Sequence, residues 1–245
     1  MTRLSVNLNK VALIRNSRGG NMPDLIQVAK DCEKFGAQGI TIHPRPDQRH
    51  ARYSDVGALK KVVTTELNIE GYPTDKFMSI VLEHKPDQVT LVPDHPAALT
   101  SDHGWDTIGK KSFLSDIIKI LRSNGIRTSI FIDADPKWVE GAAIAGADRV
   151  ELYTGPYAYL YSKEPTTAIK PHQMAALKAR ELGIGLNAGH DLNLDNLYYY
   201  QSVVTDLNEV SIGHALICDS LYMGLEKTIH AYLEILNKKE YPDLL

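Results

Sequence analysis

In the stretch Gly39-Ile-Thr-Ile-His-Pro-Arg-Pro-Asp-Gln-Arg-His50, a short apolar run ends abruptly in two histidines, two arginines and two prolines. Strand alternation puts Thr41 and His43 on one face, and the prolines stop the strand. His43 therefore stands at a strand's C-terminal end, with Arg45, Arg49 and His50 in the loop beyond. Imidazole titrates near neutral pH and guanidinium pairs with anions, so this grouping suits proton transfer beside a bound anion. The plainer alternative is a hydrogen-bonded core histidine with solvated loop arginines. Four such groups in eight residues after an apolar strand favour a site.

Other chemistry-bearing residues sit at comparable places. Glu70 lies in Asn68-Ile-Glu-Gly71, within an otherwise apolar strand, and an inward carboxylate in a core needs a partner or a function. Asn187-Ala-Gly-His190 and Ser211-Ile-Gly-His214 each end a strand with Gly before His, where a backbone can approach a ligand. If these strands are adjacent, they predict a phosphate site. Arg15 and Arg18, beside Gly19-Gly20, could hold an anion with guanidinium and backbone N–H groups. Asn7, Asp133 and Glu151 complete the set, with Asn7 and Asn187 suited to orienting hydroxyl or carbonyl groups.

Positioning all of these together takes a particular architecture. Apolar, β-rich runs at Leu4–Asn9, Gly39–His43, Leu67–Tyr72, Gln88–Pro93, Arg127–Asp133, Arg149–Thr154, Ile184–Gly189 and Glu209–His214 alternate with segments of helical period. The helices are expected near 24–35, 54–64, 75–83, 112–123, 136–145, 170–182, 194–203 and 219–238. Eight βα units in 245 residues, with no break in composition, predict a (β/α)8 TIM barrel of α/β class: a single domain over 1–245, with extra loop or helix elements. In such a barrel the strand ends converge on one mouth. An open doubly wound sheet is disfavoured, since no GxGxxG turn follows the first strand. The last helix carries Leu221, Leu225, Ile229, Tyr232 and Leu236 on one stripe, which can seal the barrel wall. Long loops at 94–111 and 155–168, the second with Tyr157, Tyr159 and Tyr161, read as lids or subunit contacts.

Composition narrows the partners. Net charge is −3 and no stretch concentrates Lys and Arg, so neither nucleic acid nor a membrane surface is expected. Nowhere do about 18 apolar residues run together, and no signal core opens the chain; a soluble, cytoplasmic protein is expected. Cys32 and Cys218 form no CxxC pair, and neither has metal-ligand spacing. A barrel metallohydrolase would want His-x-His on the first strand, which instead ends Asn-Leu-Asn9. A Schiff-base aldolase needs a desolvated lysine in a strand end, and only Lys10, just past the first strand, comes close. No metal and no cofactor are expected. A sugar-phosphate isomerase or aldolase, and a non-catalytic barrel binding a phosphate metabolite, remain open at this point.

Taken in order, Val6-Asn7, Arg15-Asn-Ser-Arg-Gly19, Gly39-Ile-Thr-Ile-His-Pro-Arg45 with Arg49-His50, Asn68-Ile-Glu70, Phe131-Ile-Asp-Ala-Asp135, Asn187-Ala-Gly-His190 and Ile212-Gly-His214 resemble the pyridoxine 5'-phosphate synthase family over nearly the whole chain. The resemblance implies a (β/α)8 barrel assembled as a homo-octamer. It implies condensation of 1-deoxy-D-xylulose 5-phosphate with 3-amino-2-oxopropyl phosphate to pyridoxine 5'-phosphate, phosphate and water. By position it implies His43 and Glu70 as proton acceptors, His190 as proton donor and Glu151 as a charge stabiliser. Asn7, Arg18, Gly213 and His214 would hold the amino-ketone phosphate; Arg45, His50 and Thr100 would hold the sugar phosphate. In this family the substrate's own amine forms the imine, which accords with the missing strand lysine. The chain departs from many members in having Asn9-Lys10 where they have Asp-His, and Asp191 where they have Gly. Asn9 and Lys10 thus become candidate substrate contacts, and Asp191 sits at the amino-ketone phosphate, where it would repel the anion unless turned outward.

Overall fold

The computed structural model describes residues 1–94 and 101–238. Its strands are β1 (Arg3–Asn7), β2 (Gly39–Ile42), β3 (Leu67–Gly71), β4 (Gln88–Leu91), β5 (Arg127–Ile132), β6 (Arg149–Tyr153), β7 (Gly185–Gly189) and β8 (Leu207–Ile212). They pair in sequence order, all parallel, and β8 returns to β1 to close the barrel. The helices are α1 (Asn9–Asn16), α2 (Leu25–Lys34), α3 (Tyr53–Lys60), α4 (Asp75–His84), α5 (Lys111–Ser123), α6 (Pro136–Ala145), α7 (Gly155–Tyr161), α8 (Pro165–Leu182), α9 (Leu197–Val203), α10 (His214–Met223) and α11 (Leu225–Asn237).

Strand alternation decides which residues meet the helices. Leu4, Val6, Ile40, Ile42, Ile69, Val89, Leu91, Ile130, Ile132, Val150 and Leu152 belong to the buried core between barrel and helices, where each fully buried side chain stabilises by about 1.5–3 kcal/mol. The alternate residues point into the barrel, and here the chain departs from the branched apolar layers common in this fold. Ser5 and Thr41 hydroxyls lie 2.7 Å apart, Asn68 Nδ2 donates to Thr41 Oγ1 at 3.3 Å, and Thr90 Oγ1 donates to Asn68 Oδ1 at 3.0 Å. Below them Arg3 pairs with Glu66 at 2.7 Å, and Arg127 pairs with Glu66 and donates to Gln88 Oε1 at 2.8 Å. These members of the polar interior satisfy one another, whereas the Ser129 hydroxyl and one carboxyl oxygen each of Glu151 and Glu209 have no hydrogen-bond partner among the described residues.

Three segments differ from expectation. Residues 10–20 contain α1 rather than a loop, because the apolar residues Val11 and Ala12 bury one face. The expected loop at 155–168 holds α7 and the start of α8: Pro156 and Pro165 occupy first-turn positions, where a proline costs no hydrogen bond. Tyr157 is buried there, whereas Tyr159 is 81% exposed. The last helix is two, because Gly224 takes φ 80°, ψ 148°, which no continuing helix allows. Ile229, Tyr232 and Leu236 on α11 do seal the wall, but Leu221 falls on α10 and is exposed.

Candidate active site

At the C-terminal ends of the strands lies a cavity of about 480 Å³. Asn7, Asn9, Lys10, His43, Arg45, His50, Glu70, Glu151, His190, Asp191, Gly213 and His214 all line it, from six separate places in the chain order, so the barrel gathers most of the expected residues. Phe131, Ser101 and Ser211 line it as well. Their types carry no chemical signal, so only the inward phase of β5 and β8 could have pointed to Phe131 and Ser211.

The end of β1 sets the position of His43. Asn7 Oδ1 accepts from the Asn9 backbone N–H at 3.0 Å, and Asn9 Oδ1 accepts from the His43 N–H at 2.8 Å. Asn9 thus orients the end of β2. The His43 Nδ1 lies 3.9 Å from Glu70 Oε2, and Asn7 Nδ2 reaches that same oxygen at 3.4 Å. Burial, then the charges of Arg45, His50, Arg49 and His190, push the His43 pKa down to about 3, so the imidazole is neutral at physiological pH. Burial pushes Glu70 up to about 7, against the opposing pull of His190 and the Asn7 hydrogen bond, with Asp94 and Glu209 adding to the rise. A neutral imidazole beside a carboxyl that titrates near neutrality is a pair able to accept and return protons.

Glu151 lies one layer deeper. It is buried, and burial, then Glu70 and Glu209, raise its pKa well above the usual carboxyl value, which favours its protonated form. Its carboxyl group explains the glycine of Asn187-Ala-Gly-His190: a Cβ at Gly189 would run into Glu151 Oε1. Gly213 has an equivalent reason, since its Cβ would come within 3.0 Å of the Asn7 Cβ. Each Gly-His pair therefore makes room first for a side chain on a neighbouring strand.

His190 adopts φ 76°, the left-handed region, which costs a non-glycine residue on the order of 1–2 kcal/mol. Its ring packs edge-on against Tyr153 at 5.5 Å and near Phe131 at 6.4 Å. Asp191 is exposed and turned toward that ring, its Oδ2 3.1 Å from His190 Nδ1. Lys10 and the guanidinium groups of Arg49 and Arg45 surround His50, which burial and these charges push down to about 4. This side of the mouth carries positive charge. Arg45 is buried and pairs with Asp94 at 2.9 Å, and Asp94 accepts from Ser101 Oγ at 2.6 Å.

Several expected residues lie elsewhere. Arg15 is buried, and both its terminal nitrogens donate to Asp55, at 2.8 and 2.9 Å; it is a structural pair between α1 and α3 and not an anion ligand. Arg18 is exposed beyond α1 and does not line the cavity. Asn187 sits one pleat too deep: its Oδ1 accepts from Arg149 at 3.1 Å inside the barrel. Asp133 is absent from the lining, and Thr100 lies outside the described residues. Among the described residues, no three His, Cys, Asp or Glu side chains are placed to hold a metal ion. No helix among them is long and apolar enough to cross a membrane.

A closed parallel barrel with a strand-end cavity furnished for proton transfer defines an α/β-barrel enzyme. Known barrels share the fold: a 3-keto-L-gulonate-6-phosphate decarboxylase from Vibrio cholerae superposes with TM-score 0.67 over 98% of this chain and 99% of its own, at 14% identity. A more specific likeness comes from sequence. Residues 4–238 match the family model of the pyridoxal phosphate biosynthesis protein PdxJ. The chain is 61% identical over 238 residues to a pyridoxine 5'-phosphate synthase of Cytophaga hutchinsonii, covering 97% of this chain and 100% of that one. It is 59% identical to the Bacteroides thetaiotaomicron pyridoxine 5'-phosphate synthase over 232 residues, 95% of this chain and 98% of that one. The chain belongs to the PdxJ family.

Proposed function

We propose that the cavity condenses 1-deoxy-D-xylulose 5-phosphate with 3-amino-2-oxopropyl phosphate, giving pyridoxine 5'-phosphate, phosphate and water. The observation that carries this is the meeting of His43, Glu70 and His190 in one mouth with Lys10, Arg45, Arg49 and His50 along its side. A condensation with dehydrations and ring closure needs several protons moved in sequence, and this set of groups supplies acceptors and donors without a redox partner. His43 and Glu70 accept protons, and His190 donates. Glu151, whose buried place favours the protonated form, stabilises developing charge by donating a hydrogen bond. Asn7, Gly213 and His214, with Arg18 from its exposed loop, take the amino-ketone phosphate. Arg45, His50 and Thr100, with Lys10, take the sugar phosphate. Asp191, turned to the His190 ring, is kept from the anion by that contact.

The same reading makes the chain one barrel domain over 1–245 that assembles as a homo-octamer in the cytoplasm. Exposed Tyr159 on α7, with Leu221 and Tyr222 on α10, supports subunit contact. Both cysteines are free, in keeping with a reducing compartment.

The test is to incubate the chelator-treated protein with both phosphorylated substrates and follow pyridoxine 5'-phosphate and released phosphate. Product is expected from the pair and from neither alone. Binding of each substrate without product would leave a phosphate-binding barrel of another activity.

Turnover should also carry the titration of Glu70. As the acceptor it works as a carboxylate, so kcat/KM is retained above its pKa and lost as pH falls through about 7. Measuring kcat/KM across roughly pH 5 to 9 checks this; an acidic limb near the ordinary carboxyl value of 4.5 would remove Glu70 from that role.

A further inference from the structure

Among the described residues, His190 is the one cavity-lining imidazole whose backbone is left-handed. Such a conformation persists at a bulky residue only where the surroundings over-determine it. The structure shows how. Thr154, the residue after β6, is fully buried and does not line the cavity. Its Oγ1 donates to the Gly189 carbonyl at 2.7 Å and accepts from the Asp191 N–H at 3.1 Å. Its own backbone N–H donates to the same Gly189 carbonyl at 3.1 Å. One side chain thus bridges the peptide groups on either side of His190. A second layer supports the far side: Asn196 Nδ2 donates to the Asp191 carbonyl at 3.1 Å, and Tyr157 OH donates to the Asn196 carbonyl at 2.7 Å.

We propose that Thr154 is a positioning residue for the reaction: its hydroxyl clamps residues 189–191 so that His190 keeps its left-handed backbone and its imidazole faces the mouth. Neither neighbouring peptide can turn without breaking a bond to that hydroxyl. The partly buried Asp191 amide would be left without its acceptor, so loss of the hydroxyl favours rotation of the 190–191 segment toward other partners. The ring would then leave its place against Tyr153, and misplacement by about 1 Å of a group that exchanges protons costs up to about 100-fold in rate.

Because this inference rests on His190 as the proton donor, the experiment measures both. Thr154→Val keeps shape and removes the hydroxyl; Thr154→Ser keeps the hydroxyl. For Thr154→Val, kcat should fall roughly 10- to 100-fold with KM for both substrates within about twofold, and the His190 imidazole NMR resonances should move. Thr154→Ser should restore both the rate and the resonance positions. If the valine variant does not fold, Thr154→Ala against Thr154→Ser makes the same comparison. A hydroxyl-free variant with wild-type kcat, or one slowed while the His190 resonances stay put, overturns the clamp. A His190→Ala variant that keeps wild-type turnover overturns the donor role itself, and with it the reason for a clamp; one that loses turnover leaves the Thr154 comparison to decide.

Discussion

Glu70→Gln should lower turnover by about 100-fold or more while both phosphorylated substrates still bind, since general acid–base groups typically contribute 10²–10⁴. The amide has the shape of the carboxyl and can keep the Asn7 contact, but it cannot take a proton at neutral pH. Glu70 is the residue on which the mouth's electrostatics converge: His43 stands 3.9 Å away, Asn7 3.4 Å, and burial holds its pKa at about 7. Removing the charge also takes a carboxyl out of the buried set with Glu151 and Glu209, so the fold should not suffer. Steady-state kinetics with calorimetric titration of each substrate separates the two effects. A variant retaining most of its turnover would put the acceptor role elsewhere, with His43 the first candidate.

The second large effect is on stability. Asp55→Ala should cost about 3–5 kcal/mol, because it leaves a guanidinium buried without its carboxylate, and for a chain of this size that lowers Tm by roughly 10 °C. Arg15 is only 2% exposed, both of its terminal nitrogens are engaged by Asp55, and Asp55 also accepts from the Arg52 N–H at 2.6 Å to start α3. The consequence reaches the site. Next to Arg15, the Asn16 side chain donates to the carbonyls of Gln48, Arg49 and His50, at 3.2, 3.1 and 2.6 Å. Loosening α1 therefore loosens the loop that carries Arg49 and His50. Thermal melts give the number; replacing both partners by apolar residues, Arg15→Met with Asp55→Leu, should recover most of the loss. A drop under about 1 kcal/mol for Asp55→Ala would mean that Arg15 finds water.

These two residues also mark what pattern can and cannot show. Glu70 was visible because a carboxylate in an apolar strand is an anomaly whichever neighbours it has. Arg15 was visible as chemistry but not as structure. Beside Arg18 and two glycines it reads as an anion ligand, and nothing local reveals that Asp55, forty residues away, fills both its nitrogens. Asn187 misled for a related reason: its place in a strand-end motif is plain, but β6, β7 and β8 are staggered so that it lies inside the barrel beside Arg149 and Glu209. Thr154 carried no signal at all, because a threonine's hydroxyl matters only through the two peptides it meets.

What the residues determine by themselves is periodicity and composition. Eight apolar runs of period two alternating with helical segments admit few closed arrangements, and His43, Glu70, His190 and the Gly-His pairs fall at the ends of those runs. Both are local properties, written in neighbouring side chains. Which inward residues reach the mouth, which charges are consumed by partners, and which backbone is held left-handed were decided only by the closed barrel. Those outcomes depend on register and stagger between strands far apart in the chain, and on burial that exists only once the barrel has closed. Desolvation moves Glu70 to about 7 and His43 to about 3, and an isolated strand surrounded by water has none of it.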